Sequence, residues 1–257
     1  MTALFEQVIF GPVRSRRLGI SLGVNLLPVE AKLCTFDCIY CECGWNAERR
    51  GSRRFNARET VREALEAKLQ AMAEAGELPD VITFAGNGEP TMHPDFEPII
   101  DDTRTLRDCY CPAAKISVLS NATQLHRAEV VRALKRVDNN ILKLDSAFDE
   151  TVQRINRPQQ AAYTVARIVE QLAAFEGEFI LQTMFLRGEC EGERIDNTTP
   201  EEVAAWVRLV EQLRPRQVMI YSLDRDTPCQ TLERVSREEL LQIATHIEAL
   251  GIAVSVA

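Results

Sequence analysis

The 257-residue chain has little of what a membrane or exported protein carries. No apolar run approaches the ~18 residues that a helical span requires, which predicts no membrane span. The opening Met1-Thr2-Ala3-Leu4-Phe5-Glu6-Gln7 has neither a basic n-region nor a long apolar h-region, which predicts no leader. Positive charge is in deficit, with 30 Lys and Arg against 38 Asp and Glu, a net charge of −8. That argues against broad affinity for nucleic acid, because phosphate binding rests on clustered Lys and Arg; a local basic patch stays open. No internal repeat, low-complexity tract or long linker divides the chain. With 46% hydrophobic residues it is expected to be one α/β domain over residues 1–257. Eight cysteines without a leader point to a reducing, cytoplasmic setting, where thiols stay available as metal ligands.

What is present concentrates in Cys34-Thr35-Phe36-Asp37-Cys38-Ile39-Tyr40-Cys41. Three cysteines at Cx3Cx2C spacing sit on a loop just after a strand. Each thiolate is a soft anionic ligand, and three can grip three corners of an iron–sulfur cluster. The fourth iron then has no protein ligand, and an open coordination position is where chemistry happens. Zinc modules usually assemble four ligands from CxxC pairs or Cys/His sets, and no His lies within this stretch.

Around that loop, short apolar strands alternate with helices. Strands are expected over Leu18–Leu27, Val81–Phe84, Ile116–Leu119, Ile141–Leu144, Phe179–Phe185, Val218–Tyr221 and Ile252–Val256. Helices are expected after Asn56, over 95–107, 125–137 and 161–175, after Thr199 and after Ser236. Asn56-Ala57-Arg58-Glu59 and Ser236-Arg237-Glu238-Glu239 read as capping boxes; Thr199-Pro200 reads as an N-cap followed by Pro at the first helical position. Gly76 closes the first helix. The alternation implies parallel βαβ units with right-handed crossovers, a partial (β/α)6 barrel of parallel strands with outer helices.

In such a barrel, function gathers at the C-terminal ends of strands. There lie Gly86-Asn87-Gly88-Glu89-Pro90, whose glycines allow close backbone approach and whose Glu89 can accept from an ammonium group. Ser120 and Asn121 can bind a ribose or carboxylate, or cap the following turn. Lys143 and Asp145 put polar groups on one face of an apolar strand; either they build a site or they pair with each other. Gln182 carries the same signal more weakly. Tyr40 could flank a ring or pack in the core. His93 reads as a helix-entry residue, His126 and His246 as surface residues. Cys190 and Cys229 read as free thiols, with a second metal site, which Cys43 could join, or a substrate radical as alternatives. The Arg49, Arg50, Arg53 and Arg54 stretch is a solvated loop or an anion clamp.

With Tyr40 directly before the third cysteine, the motif resembles the radical S-adenosylmethionine (radical SAM) superfamily. Gly11-Pro12-Val13-Arg14-Ser15-Arg16-Arg17-Leu18-Gly19, Lys143-Leu144-Asp145 and Arg154-Ile155-Asn156-Arg157-Pro158 are similar to an uncharacterised branch of it, related to the enzymes that build wybutosine in tRNA. The resemblance implies the same partial barrel, a [4Fe–4S] cluster on Cys34, Cys38 and Cys41, and S-adenosylmethionine chelated by the open iron. Reductive cleavage would give a 5′-deoxyadenosyl radical that takes hydrogen from substrate. Gly86, Gly88 and Glu89 resemble the GGEP motif that holds the amino group of the methionine, with Asn87 between the glycines as a departure. Tyr40, Ser120, Asn121, Lys143 and Asp145 would supply further cofactor contacts. An electron donor such as flavodoxin or ferredoxin is implied. The substrate is a small molecule or peptide, or alternatively a tRNA base; a non-enzymatic iron–sulfur or metal-binding protein is the third reading. No cysteine-rich C-terminal stretch follows, so one cluster with about four irons is expected.

Overall fold

The computed structural model describes residues 4–15, 19–47 and 54–257. Arg16, Arg17, Leu18, Arg49, Arg50 and Arg53 lie outside the described residues. In chain order the elements are β1 (Ile9–Ser15), β2 (Gly19–Val24), α1 (Arg58–Ala75), β3 (Val81–Phe84), α2 (Phe96–Tyr110), β4 (Lys115–Ser120), α3 (Ala128–Leu134) and β5 (Asn139–Lys143). Then follow α4 (Asp149–Ile155), α5 (Val165–Ala173), β6 (Ile180–Met184), β7 (Leu186–Cys190), β8 (Glu193–Asp196), α6 (Pro200–Leu213), β9 (Gln217–Tyr221), β10 (Leu232–Arg234), α7 (Arg237–Glu248) and β11 (Ala253–Val256).

Among the described residues, eight strands form one sheet in the order β1-β2-β3-β4-β5-β6-β9-β11. From β2 onward every pairing is parallel, as the βαβ pattern predicts. The ends of the sheet do not pair with each other, so the barrel is open. Side chains alternate between its faces. Leu22, Ile82, Val118, Leu142, Leu181 and Val218 bury against the helices in the main core. Each such burial is worth roughly 1.5–3 kcal/mol. Ile141, Ile180 and Met219 cluster on the opposite, inner face. Lys143 continues the Ile141 row and Gln182 the Ile180 row, so both reach the inner face, paired in register.

Several expectations need correction. Leu18–Leu27 is not one strand: β2 ends at Val24, and an antiparallel β1 precedes it. β1 contains Gly11-Pro12, and its register shifts there, which suits an edge strand. Asn56 does not cap α1. Ala57 occupies the N-cap without a side-chain bond, while Asn56 Nδ2 donates to the Asn25 and Leu27 carbonyls at 2.9 and 2.7 Å. Its amide ties the exit of β2 to the helix instead. The caps at Thr199 and Ser236 form as expected, the latter as a reciprocal capping box. Gly76 closes α1 in the left-handed conformation. α3 is shorter than 125–137, and α5 begins only at Val165, behind its Thr164 cap. A small antiparallel sheet, β10-β7-β8, and the helix α4 were not anticipated.

Candidate active site

The cysteine loop leaves β2 and contains no helix or strand longer than a single bridge. Its shape is imposed by other segments. Leu33 bridges to Gly88: Leu33 N–H donates to Asn87 O at 2.8 Å, and Glu89 N–H to Leu33 O at 3.1 Å. Asp37 N–H reaches Asn156 O at 2.9 Å, and Ile39 N–H reaches Ile155 O at 3.0 Å. Gln159 N–H reaches Thr35 O at 2.8 Å, and Cys229 N–H reaches Ile39 O at 3.2 Å. The two glycines serve this clamp. Gly88 has φ +140°, and a Cβ there would lie 1.8 Å from Leu33 O; at Gly86 it would lie 2.4 Å from Asn25 Oδ1. Their close approach is to protein backbone and side chain in the first place.

Cys34, Cys38 and Cys41 are free thiols, partly exposed. Each sulfur faces a donor, as an anionic sulfur requires. Phe36 N–H lies 3.4 Å and Asn121 Nδ2 3.6 Å from Cys34 Sγ; Asn156 Nδ2 lies 3.5 Å from Cys38 Sγ. Cys43 and Lys32 sit beside Cys41 and favour its anionic form, while the Cys43 Sγ itself lies 3.5 Å from the Gly86 carbonyl. Burial pushes the Cys34 thiol well up and Cys38 to about 11. The Cys43 hydrogen bond, with Lys32 behind it, holds Cys41 below the usual thiol range. Among the described residues no three His, Cys, Asp or Glu side chains converge on one ion-sized point. A multi-iron cluster does not ask them to, because each thiolate holds a different iron. The donor set therefore fits an iron–sulfur cluster.

Glu89 is 2% exposed and organises the neighbouring turn. Its Oε1 accepts from Thr91 N–H at 3.1 Å, from the Thr91 hydroxyl, and from Ser120 Oγ at 2.9 Å; Oε2 accepts from Asn121 N–H at 2.7 Å. Burial raises its pKa even against these donors. Oε2 keeps an acceptor position. Asn121 Nδ2 also bonds Thr35 Oγ1 at 2.9 Å, so Ser120 and Asn121 join the Glu89 turn to the cysteine loop.

Lys143 and Asp145 do pair, at 3.3 Å, but within a larger network. Asp145 Oδ1 accepts from Met184 N–H at 2.8 Å; Oδ2 accepts from the Tyr40 hydroxyl and from Asn156 Nδ2 at 2.7 Å. Lys143 Nζ donates to the Tyr221 hydroxyl at 2.9 Å and lies 5.2 and 5.1 Å from the Tyr40 and Tyr221 ring centroids. Burial alone would lower its pKa; Asp145 and Tyr221 hold it above the usual lysine value. Tyr40 is thus pinned by both its ring and its hydroxyl.

Cys190 and Cys229 are not free thiols: they are joined, with Cα atoms 5.9 Å apart, fixing the end of β7 to the loop before β10. Cys43 is a buried thiol beside Cys41. His93 is buried, with Nε2 2.8 Å from Asn56 O and Nδ1 accepting from Asp95 N–H, a helix-entry role. His126 and His246 are exposed. A cleft of about 620 Å³ between α4, β8 and the start of α6 contains none of the expected site residues. Sequence reasoning missed three participants. Asn156 touches Cys38, Tyr40 and Asp145. Lys32 lies under the cysteine loop. Tyr221 meets Lys143. Asn156 stood inside the quoted Arg154–Pro158 stretch; Lys32 was visible as a lone cation just ahead of the cysteines.

Residues 31–199 match the family model of the radical SAM superfamily. The chain belongs to the radical SAM superfamily. It also belongs among the UPF0026 proteins. It is 31% identical over 230 residues to a UPF0026 protein of Synechocystis, covering 86% of this chain and 77% of that one. A UPF0026 protein of Methanocaldococcus jannaschii is 33% identical over 184 residues, covering 70% of this chain and 54% of the relative. A protein of Brachyspira hyodysenteriae named GTPase Obg is 28% identical over 246 residues, 94% of this chain and 33% of the relative. The chain thus spans about a third and about half the length of these last two relatives. The nucleotide-binding pattern Gly-x4-Gly-Lys-Ser/Thr does not occur in it. A radical SAM methyltransferase from Sphaerobacter thermophilus shares the fold, with TM-score 0.66, 16% identity, and 92% of this chain and 65% of that one covered. TYW1 with a lysine-pyruvate adduct bound shares it at TM-score 0.61 and 16% identity, over 89% of this chain and 73% of that one. Among the described residues no helix is long and apolar enough to cross a membrane.

Proposed function

We propose that this radical SAM chain holds a [4Fe–4S] cluster through Cys34, Cys38 and Cys41 and uses it with S-adenosylmethionine to take hydrogen from a small-molecule or peptide substrate. The observation that carries the reading is the clamped loop in which each of three free cysteines faces a hydrogen-bond donor. When bound, the cluster supplies the electron that cleaves the sulfonium of S-adenosylmethionine into methionine and a 5′-deoxyadenosyl radical. The protein's part is orientation and exclusion of water. The free acceptor position of Glu89 would take the methionine ammonium, with the Gly86–Gly88 backbone beside it. Ser120 and Asn121 would contact the ribose or carboxylate. Tyr40, Lys143 and Asp145 form a rigid polar wall on the inner face, where cofactor meets substrate. Residues 1–257 act as one domain, in the cytoplasm, with a flavodoxin- or ferredoxin-type electron donor.

Anaerobic reconstitution tests this. The parent chain is expected to take up about four irons, and Cys38→Ala to lose the visible absorption while staying folded. Reduction with S-adenosylmethionine is expected to release 5′-deoxyadenosine. A parent that takes up no iron, or a Cys38→Ala variant with undiminished absorption, refutes the ligand assignment.

A further inference from the structure

Lys32 stands two residues ahead of Cys34 with its side chain 1% exposed. A buried ammonium is costly unless its donors are met. Its Nζ donates to Gly44 O at 2.7 Å and to Asp37 Oδ1 at 3.1 Å. Both acceptors belong to the cysteine loop, one between Cys34 and Cys38 and one just past Cys41. The loop is therefore folded around an ammonium group.

The neighbouring charges decide what that group does. The other buried ammonium, Lys143, faces an Asp145 side chain that is 0% exposed and takes four donors, so its charge is closely neutralised inside the protein. The counter-ion of Lys32 differs. Asp37 is 20% exposed, and its Oδ1 is shared with Asn46 N–H at 2.8 Å. Water screens Asp37 more than it screens Lys32. Cys41, Cys34 and Cys38 all lie close enough to interact with the Lys32 charge, so a net positive field from Lys32 falls on the three sulfurs.

We propose that Lys32 is a positioning residue that sets the electron affinity of the cluster. A one-electron reductant gives one electron to the cluster, no bond is broken, and the loop becomes more negative by one charge. A fixed cation beside the thiolates favours that more negative state, so Lys32 raises the reduction potential. This deepens the cluster assignment above and rests on it.

The test is an EPR-monitored redox titration with dithionite on the anaerobically reconstituted parent chain, Lys32→Met, Lys32→Arg and Asp37→Asn. Loss of one charge-assisted hydrogen bond and its field changes the one-electron equilibrium about tenfold, which is 59 mV. Lys32→Met is expected to fall by about that amount, Lys32→Arg to stay near the parent, and Asp37→Asn to rise. Equal potentials in the parent and Lys32→Met overturn the proposal, as does a Lys32→Arg potential as low as that of Lys32→Met, which would mark a mere brace. If Lys32→Met takes up no cluster, Lys32→Gln decides: a potential below that of the parent supports the role and an unchanged one overturns it. A parent chain that takes up no iron overturns the cluster assignment itself, and this proposal with it.

Discussion

Asn156→Ala removes one carboxamide from the centre of the site. The side chain is buried, and its Nδ2 lies 2.7 Å from Asp145 Oδ2, 3.0 Å from the Tyr40 hydroxyl and 3.5 Å from Cys38 Sγ. Two N–H groups serve these three acceptors, so two bonds at most are strong at once. The bond to the carboxylate is charge-assisted and contributes about 1.5–3 kcal/mol. Asp145 is not orphaned by the change, because Tyr40, Met184 N–H and Lys143 still reach it. The backbone bonds from Asp37 and Ile39 to this segment also survive. The net loss is therefore about 2 kcal/mol, near the charge-assisted bond alone. In a domain of this size that lowers the melting temperature by about 4–8 °C. Thermal unfolding of the cluster-free chain under reducing, anaerobic conditions measures it. Asn156→Asp places a second carboxylate against Asp145 and is expected to cost more. A melting temperature within about 1 °C of the parent for Asn156→Ala would show that the network does not support the fold, and that Tyr40 and Asp145 hold each other unaided.

Two further outcomes follow from local geometry. Gly88→Ala drives a Cβ to 1.8 Å from Leu33 O at φ +140° and is expected to break the bridge, lowering both stability and iron uptake; Gly192→Ala, at φ +83° with nothing within 4 Å, is the control. Equal behaviour of the two variants would remove the steric argument. The second outcome concerns acid. The Ser236 hydroxyl and then Arg187 hold the Glu239 carboxyl down at about 2. A carboxyl depressed by folding stabilises above its unfolded value and loses that contribution as pH falls through the folded one. The parent's melting temperature is therefore expected to fall more steeply than that of Glu239→Gln between pH of about 4.5 and about 2, and parallel curves would refute the cap's contribution.

Most of the parallel strands were legible because they are short apolar runs covered on both faces, and Val81–Phe84 matches to the residue. The cysteines and Glu89 were legible because their chemistry is carried by residue type and spacing. β1 was not, because Gly11-Pro12 interrupts it and only pairing with β2 makes it a strand. The β10-β7-β8 sheet was not, because its strands are short, polar and joined across distant sequence. Asn56 shows the same limit at one residue. The pattern for a cap is present, yet two carbonyls from the β2 exit compete for the amide and hold it. Asn156 acts on residues distant in the chain, and Lys32 on Gly44 beyond the motif as well as on Asp37 within it, and no local pattern records such contacts.

The cysteine loop is not a portable motif. The bonds that shape it come from Gly88, from Ile155 to Gln159, and from Cys229. A nascent chain halted near residue 100 would present the three thiols of the motif with the bridge at Gly88 at best, and an excised peptide would lack even that. The loop is therefore expected to take its full shape only once the chain has been made past Cys229. Transplanting these eight residues into another scaffold would carry the ligands without the surface that folds them.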